Sequence, residues 1–204
     1  GKGVLWNDLY KLSGHRMKDV RIVGMKDDHY GIDLVKGMSP PQIVEAIKGV
    51  AQQLGGEKAD KNDFWTKKGA SIIKYSASLA LALESDPEVL GDFIRVERCR
   101  PYCLKGIYKL STNEMLSKKA MDIVQDLANI DDKKDRNKTR VLRKGVEAGT
   151  WLTIEYHSMP ENTKGGFKSH VSDLLDFIDD DDDLAERFCS GTFERTIDID
   201  YCLK

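Results

Sequence analysis

The chain has 204 residues, 40% apolar, 32% charged and 8% aromatic, with 32 basic against 34 acidic residues for a net charge of −2. That balance fits one globular domain, or one domain carrying part of another, and excludes a disordered chain, a histone-like polycation and a polyacidic protein. The longest apolar run, 77–83, is too short to span a bilayer, the first residues lack a signal peptide's apolar core, and four cysteines do not make a disulfide framework, so reduced thiols are expected.

In chain order, residues 4–12 read as an amphipathic helix stopped at Ser13-Gly14. Val20-Arg21-Ile22-Val23, ended by Gly24, is a short β-like run, and Ile32-Asp33-Leu34 alternates as a second. Two such runs cannot make a sheet; they look like the edge of an α/β domain. Ser39-Pro40-Pro41-Gln42 then opens a helix, because Ser39 can cap, proline fits the first turn and Gln42 completes a capping box. Ile43, Ile47, Val50 and Leu54 fall on one face of it, and Gly55-Gly56 ends it. The next helix is expected from Asn62 or Asp63 to about Glu84. Trp65, Ile72, Leu79 and Leu83 share a stripe on which Gly69 and Ser76 leave room for a close neighbour. Its apolar second half marks it as the central helix.

Asp86 caps a further helix that contains Pro87, and Pro101 breaks the stretch after it. Ser111-Thr112-Asn113-Glu114 offers another start, and Leu116, Ala120, Ile123, Leu127 and Ile130 make a continuous stripe. A polar segment over 131–138 leads to a helix over 139–158, stopped by Met159-Pro160. Asn162 is the expected cap of the next, whose stripe is Phe167, Val171, Leu174 and Ile178. Thr196-Ile197-Asp198-Ile199-Asp200-Tyr201 alternates as a strand. This layout fits a helical domain inserted between two parts of an α/β domain better than a free-standing bundle.

The motifs assign no catalytic, cofactor-binding or metal residue. Gly1-Lys2-Gly3 looks like the end of a P-loop, but no Gly-x-x-x-x-Gly-Lys-Ser/Thr is present to wrap phosphates and hold magnesium. Cys99 and Cys103 are close in sequence, while Cys189 and Cys202 are distant. His157 and His170 could complete a zinc site, but no second closely spaced pair exists, so free thiols are expected. There is no Gly-x-Ser-x-Gly and no Cys–His pairing, and Glu155 and His157 face different ways on a helix.

Two charged patches remain. Asp179, Asp180, Asp181, Asp182 and Asp183 lie in a window, 171–187, with eight acidic residues and one arginine, a net of −7 able to attract a basic partner. The run lacks the glycine and alternation of a calcium loop. Lys133, Lys134, Arg136, Lys138, Arg140, Arg143 and Lys144, set against three aspartates, give +4 and could neutralise phosphates. Trp151 is too far along to interleave with them as a stacking platform.

Asn62-Asp63-Phe64-Trp65, followed by a long Ala/Leu/Ile-rich helix to Leu83, resembles the helical insertion of type IV secretion coupling proteins, the ATPases that feed DNA and protein substrates into conjugation and secretion channels. In that family a (D)xFW entry opens the long helix of the all-α domain. Lys2-Gly3-Val4-Leu5-Trp6, the run 20–24 and Ile32-Asp33-Leu34 are similar to the family's stretch after its Asp-x-Lys-Gly strand. The 167–178 helix, Arg187-Phe188-Cys189-Ser190-Gly191 and Thr196-Ile197-Asp198-Ile199-Asp200 are similar to its exit, where a helix, a short turn and a strand return to the nucleotide-binding domain. The segments occur in the family's order; 89–158 has no counterpart.

The resemblance implies a mainly α chain: a bundle-like all-α domain over 39–190, inserted in an α/β RecA-like domain whose edges are 1–38 and 191–204. It implies a Walker A loop ahead of Lys2 and a Walker B strand beyond Lys204, hence ATP and magnesium in the parent ATPase, with no cofactor and no catalysis in this piece. The implied role is to dock effector proteins, adaptors or relaxase–DNA complexes at the cytoplasmic mouth of the channel. That places it at the cytoplasmic face of the bacterial inner membrane, in a hexameric motor and without direct membrane contact. On the residues alone, a helical DNA-binding domain using 133–144 and an enzyme of unrecognised class stay open.

Overall fold

The computed structural model describes residues 20–55, 63–175 and 177–197, together with Lys11 and Gly14. The rest of the expected 4–12 helix, Asn62, Cys202 and the terminal strand past Ile197 lie outside the described residues, as do the side chains of Leu54, Trp65, Leu174 and Asp179. The chain is mainly helical, as its periodicity implies.

Helix α1 (Pro40–Gly55) opens as its sequence predicts, with Gln42 Oε1 accepting from the Ser39 N–H and hydroxyl, each at 2.8 Å. Ile43 and Val44 are buried on α2 (Asp63–Leu83), but Val50, on the same stripe as Ile43, is 56% exposed. Helix α2 is the central one. It packs against α1, α4 (Leu104–Thr112), α5 (Glu114–Ile130), α6 (Arg136–Thr150) and α7 (Glu161–Leu175), and buries Ile72, Ile73, Leu79 and Leu83. A close approach lies at Gly145 of α6, where a Cβ would stand 2.3 Å from that of Ala82. Gly149, one turn on, lies against Met121 of α5, where a Cβ would stand 2.6 Å from the Met121 Cγ. The small face of α6 is thus a wedge between α2 and α5.

Asp86 caps α3 (Pro87–Glu97), its carboxylate accepting from Glu88 N at 3.0 Å and Val89 N at 3.2 Å. Helix α4 has no start signal in the sequence. Its cap is Cys103, whose sulfur accepts from Gly106 N at 3.2 Å and donates to Arg100 O at 2.9 Å, a job usually given to Ser, Thr, Asp or Asn. In α5 the buried face is Ser117, Ala120 and Val124. Of the expected stripe, Ala120 is thus core, Leu116, Ile123 and Leu127 are half-buried, and Ile130 is 78% exposed. Helix α6 begins at Arg136, three residues earlier than the spacing suggests, because Asp135 accepts from Asn137 N and Lys138 N. It then widens into a π-helical turn over Trp151–Tyr156 that keeps Leu152 and Tyr156 in the core. Helix α7 starts at Glu161, directly after Pro160, so Asn162 lies inside it and is not its cap. Two short helices, α8 (Phe177–Asp180) and α9 (Asp182–Leu184), and a second π turn over Ala185–Cys189 lead back towards the start of the chain.

The 20–23 run is not a strand: only Val23 bridges, to Tyr30, across a loop closed by Tyr30 N donating to Ile22 O at 2.7 Å. The strand that forms is β1 (Gly31–Ile32), paired in parallel with β2 (Thr196–Ile197), Gly31 opposite Thr196 and Ile32 opposite Ile197. Asp33 and Leu34 drop out of it because the Asp33 carboxylate accepts from Val35 N at 3.2 Å and turns the backbone. Among the described residues no helix is long and apolar enough to cross a membrane.

Candidate functional site

Four places could carry function. The first is the junction where the strand pair meets the helices. Arg100 donates through Nε and Nη2 to the two carboxylate oxygens of Glu84, at 3.0 and 2.8 Å, a bidentate pair at the end of α2. The Tyr102 N–H reaches the same carboxylate at 3.2 Å, and the Tyr102 hydroxyl donates to Met38 O at 2.7 Å. Arg100 N donates to Ser190 O at 2.8 Å, and Gly191, held at φ +67°, lies under the Arg100 side chain. One loop therefore ties the central helix to both the entry and the exit of the helical body. Gly31 is required here: a Cβ would sit 2.2 Å from Arg187 O.

The thiols lie nearby. Cys99, Cys103 and Cys189 are free and buried. The Cys103 thiol is pushed well up by burial, and Cys189 is pushed up to about 11 by the same cause with Asp33 adding to it. Cys103 and Cys189, so held, are poor nucleophiles and ligands, whereas the hydrogen bond with Cys103 pulls the Cys99 thiol down against its burial. Among the described residues no three His, Cys, Asp or Glu side chains converge to hold a metal ion.

The second place is a cleft of about 490 Å³ between the start of α5 and the start of α7. Glu114 accepts from Lys118 at 2.7 Å and Lys164 at 3.0 Å, and these two ammonium groups hold its carboxyl down at about 2. His157 is buried behind them. Its Nε2 lies 2.6 Å from Ser117 Oγ, while its Nδ1 has no hydrogen-bond partner and stands 3.9 Å from Glu114 Oε2. Serine, histidine and glutamate lie in a row, but Ser117 is 1% exposed and its hydroxyl also donates to Glu114 O, so no substrate can reach it. The row is a structural strut.

Burial lowers the His157 imidazole below its usual 6.5; Glu114 opposes this, and Lys164 and Lys118 reinforce it. The folded protein keeps the ring neutral, so the unfolded chain takes up the proton first. The resulting stabilisation is complete above pH 6.5 and is lost as pH falls through the lowered folded value. Urea midpoints should therefore drop between pH 6.5 and 5 in the wild type, and His157→Gln should flatten that dependence; an unchanged slope would exclude His157 as its source.

The third place is an apolar groove of about 360 Å³ between α3 and α5, floored by Leu83 and Ala120. The fourth is the pair of charged patches. Asp180, Asp181, Asp182 and Asp183 are exposed around α8 and α9, with Asp181 also capping α9 through Leu184 N at 2.9 Å. Lys133, Lys134, Arg136, Arg140, Arg143 and Lys144 are exposed, and Lys138 is half-buried. Lys134 is paired with Asp132 at 2.8 Å. Arg136, Arg140 and Arg143 form one outward stripe of α6, opposite the Leu142–Gly145–Ala148 wedge. Trp151 is stacked on Tyr75 at 4.3 Å and so is spent on packing.

Sequence reasoning missed Arg100, weighed His157 only as a zinc ligand or as a neighbour of Glu155, and named Glu84 and Glu114 only at helix ends. No family model matches the chain, and neither a characterised protein nor a solved structure is similar to it.

Proposed function

We propose that this chain is the all-α domain of a type IV secretion coupling ATPase with the flanking edges of its nucleotide-binding domain, and that it docks effector proteins, adaptors or relaxase complexes. The observation that carries the reading is the strand pair. Neighbouring parallel strands need a crossover connection, and here the crossover is the whole helical body between Ile32 and Thr196. Among the described residues the parallel pair spans two residues on each strand, too little to stand alone, and parallel strands occur in larger sheets covered on both faces. An insertion between adjacent strands of a bigger sheet accounts for this arrangement. The Glu84–Arg100 junction then fixes the insertion on that sheet, and ATP and magnesium belong to the sheet's own domain.

A second reading, a DNA-binding helical domain, is favoured by the single-faced basic stripe of α6. One experiment separates the two. The immobilised chain is incubated with cytosol of a conjugating bacterium, with and without nuclease, beside a variant in which Asp180, Asp181, Asp182 and Asp183 are changed to lysine. Proteins retained after nuclease and lost from the variant are the expected result. Capture that the variant leaves unchanged overturns the acidic patch as docking surface. Loss on nuclease treatment, with binding that weakens steeply with salt and less so in an Arg136→Gln/Arg140→Gln/Arg143→Gln variant, transfers the function to DNA.

A further inference from the structure

Helix α3 is eleven residues long and buries none of them. An isolated helix of that length is marginal in water. This one is held at its ends, by the Asp86 cap, by Arg98 at φ 58°, and by Glu97 bonded to Lys109 at 2.8 Å. Its inward side chains Val89 and Phe93 reach only the rim of the core, and Val96 is 64% exposed. Across the groove stand Leu116 and Ile123 of the apolar stripe of α5, packed against the edge of the core but only half-buried. Two half-buried apolar stripes thus face each other across a trough that stays open among the described residues.

The walls say what fits between them. Both are helices whose backbone groups are bonded within themselves, so there is no free strand edge for an extended peptide to extend. The floor is aliphatic and offers nothing to a phosphate. Asp92 is neutralised by Arg95 at 2.7 Å and Glu97 by Lys109, which leaves Glu88 on the α3 wall and Lys119 on the α5 wall. Among the described residues neither of these two has an ion-pair partner. The trough is apolar along its middle, acidic on one side and basic on the other.

We infer that this groove receives one amphipathic helix of a partner protein, with apolar residues at helical spacing down its centre, basic side chains along one edge and acidic side chains along the other. The inference rests on the docking reading above and adds the surface and the partner's chemistry. The opposed wall charges set the direction in which the helix lies, because turning it end for end exchanges its two edges.

The test uses the 204-residue chain and three fluorescein-labelled peptides of roughly 18 residues, long enough to form helix on binding. All carry leucines at i, i+3, i+4 and i+7 spacing; their edges are lysine and glutamate, lysine on both sides, or glutamate on both sides. Fluorescence anisotropy gives the affinities, and methyl NMR locates the site at Val89, Val96, Leu116 and Ile123. The mixed-edge peptide should bind about fivefold more tightly than either uniform one, the size expected of surface charge pairs. Glu88→Lys should move the preference to the glutamate-edged peptide and Lys119→Glu to the lysine-edged one. Val96→Glu, at an exposed position, should weaken all three about tenfold. Equal binding of the three peptides, preferences that ignore the two wall variants, or methyl shifts elsewhere would overturn the assignment. Cytosolic capture is scored separately: capture that persists in Glu88→Lys and Val96→Glu overturns the groove while leaving the docking reading standing. A groove that binds the mixed-edge peptide while the chain captures nothing supports the groove and counts against the docking reading.

Discussion

Gly145→Ala is expected to destabilise the protein by about 2 kcal/mol, although alanine is the better helix former. The added methyl stands 2.3 Å from Ala82 Cβ and 2.9 Å from Val124 Cγ1, so α6 must retreat from both α2 and α5. Neither neighbour can give way, because Ala82 has no side chain to rotate and Val124 is buried in the same core. The matched control is Gly91→Ala on α3, where nothing lies within 4 Å of the new methyl. There the helix propensity acts alone and should stabilise by about 0.5–1 kcal/mol. Thermal melts should move in opposite directions, down by roughly 4–8 °C for Gly145→Ala and up by a few degrees for Gly91→Ala. Equal shifts would mean that α6 does not wedge between α2 and α5.

Glu84→Ala should cost about 3 kcal/mol, the lower end for breaking a buried pair, because the Arg100 side chain keeps a third of its surface in water. The loss exceeds that of an ordinary surface pair for two reasons. The Glu84 side chain is 12% exposed, and it also holds the Tyr102 N–H, which would be left without an acceptor. Glu84→Gln keeps one acceptor oxygen and should lose about half as much. The damage should be local first: hydrogen exchange should rise at Arg100, Tyr102 and Gly31, which mark the junction, before it rises in α2. Uniform exchange would place the pair's role in the core and not at the link between strand pair and helices.

The helices that the sequence marks clearly are those whose signals are local. Ser39 with Gln42, Asp86 with Pro87 and the run Ser111-Thr112-Asn113-Glu114 each place a helix start; Asp86 and Asn113 are the caps in the structure, while Ser39 donates to Gln42 and its side chain caps nothing. Helix α4 escaped because its cap is a cysteine, which carries no start signal. The 20–23 run has the composition of a strand but, among the described residues, only a single bridge, since β propensity needs a neighbour to become a strand. The charged patches were legible because exposed charge needs no tertiary partner. The Glu84–Arg100 junction and the Glu114–His157 cleft join residues far apart in the chain, and no spacing rule connects them.

The sequence by itself determined that the chain is mainly helical, that α2 is central, and that 179–183 and 133–144 are charged surfaces, because periodicity, caps and net charge act within a few residues. Only the tertiary structure decided which apolar stripe of α5 is core. Of the stripe Leu116, Ala120, Ile123, Leu127 and Ile130 only Ala120 is fully buried, because the glycine face of α6 approaches the Ala120–Val124 side and takes the burial there. Close packing rewards the face that a neighbour can reach, not the face with the longest run of apolar residues. The parallel pairing of Gly31 with Thr196 was likewise decided in three dimensions, since its register depends on where a long helical body returns the chain.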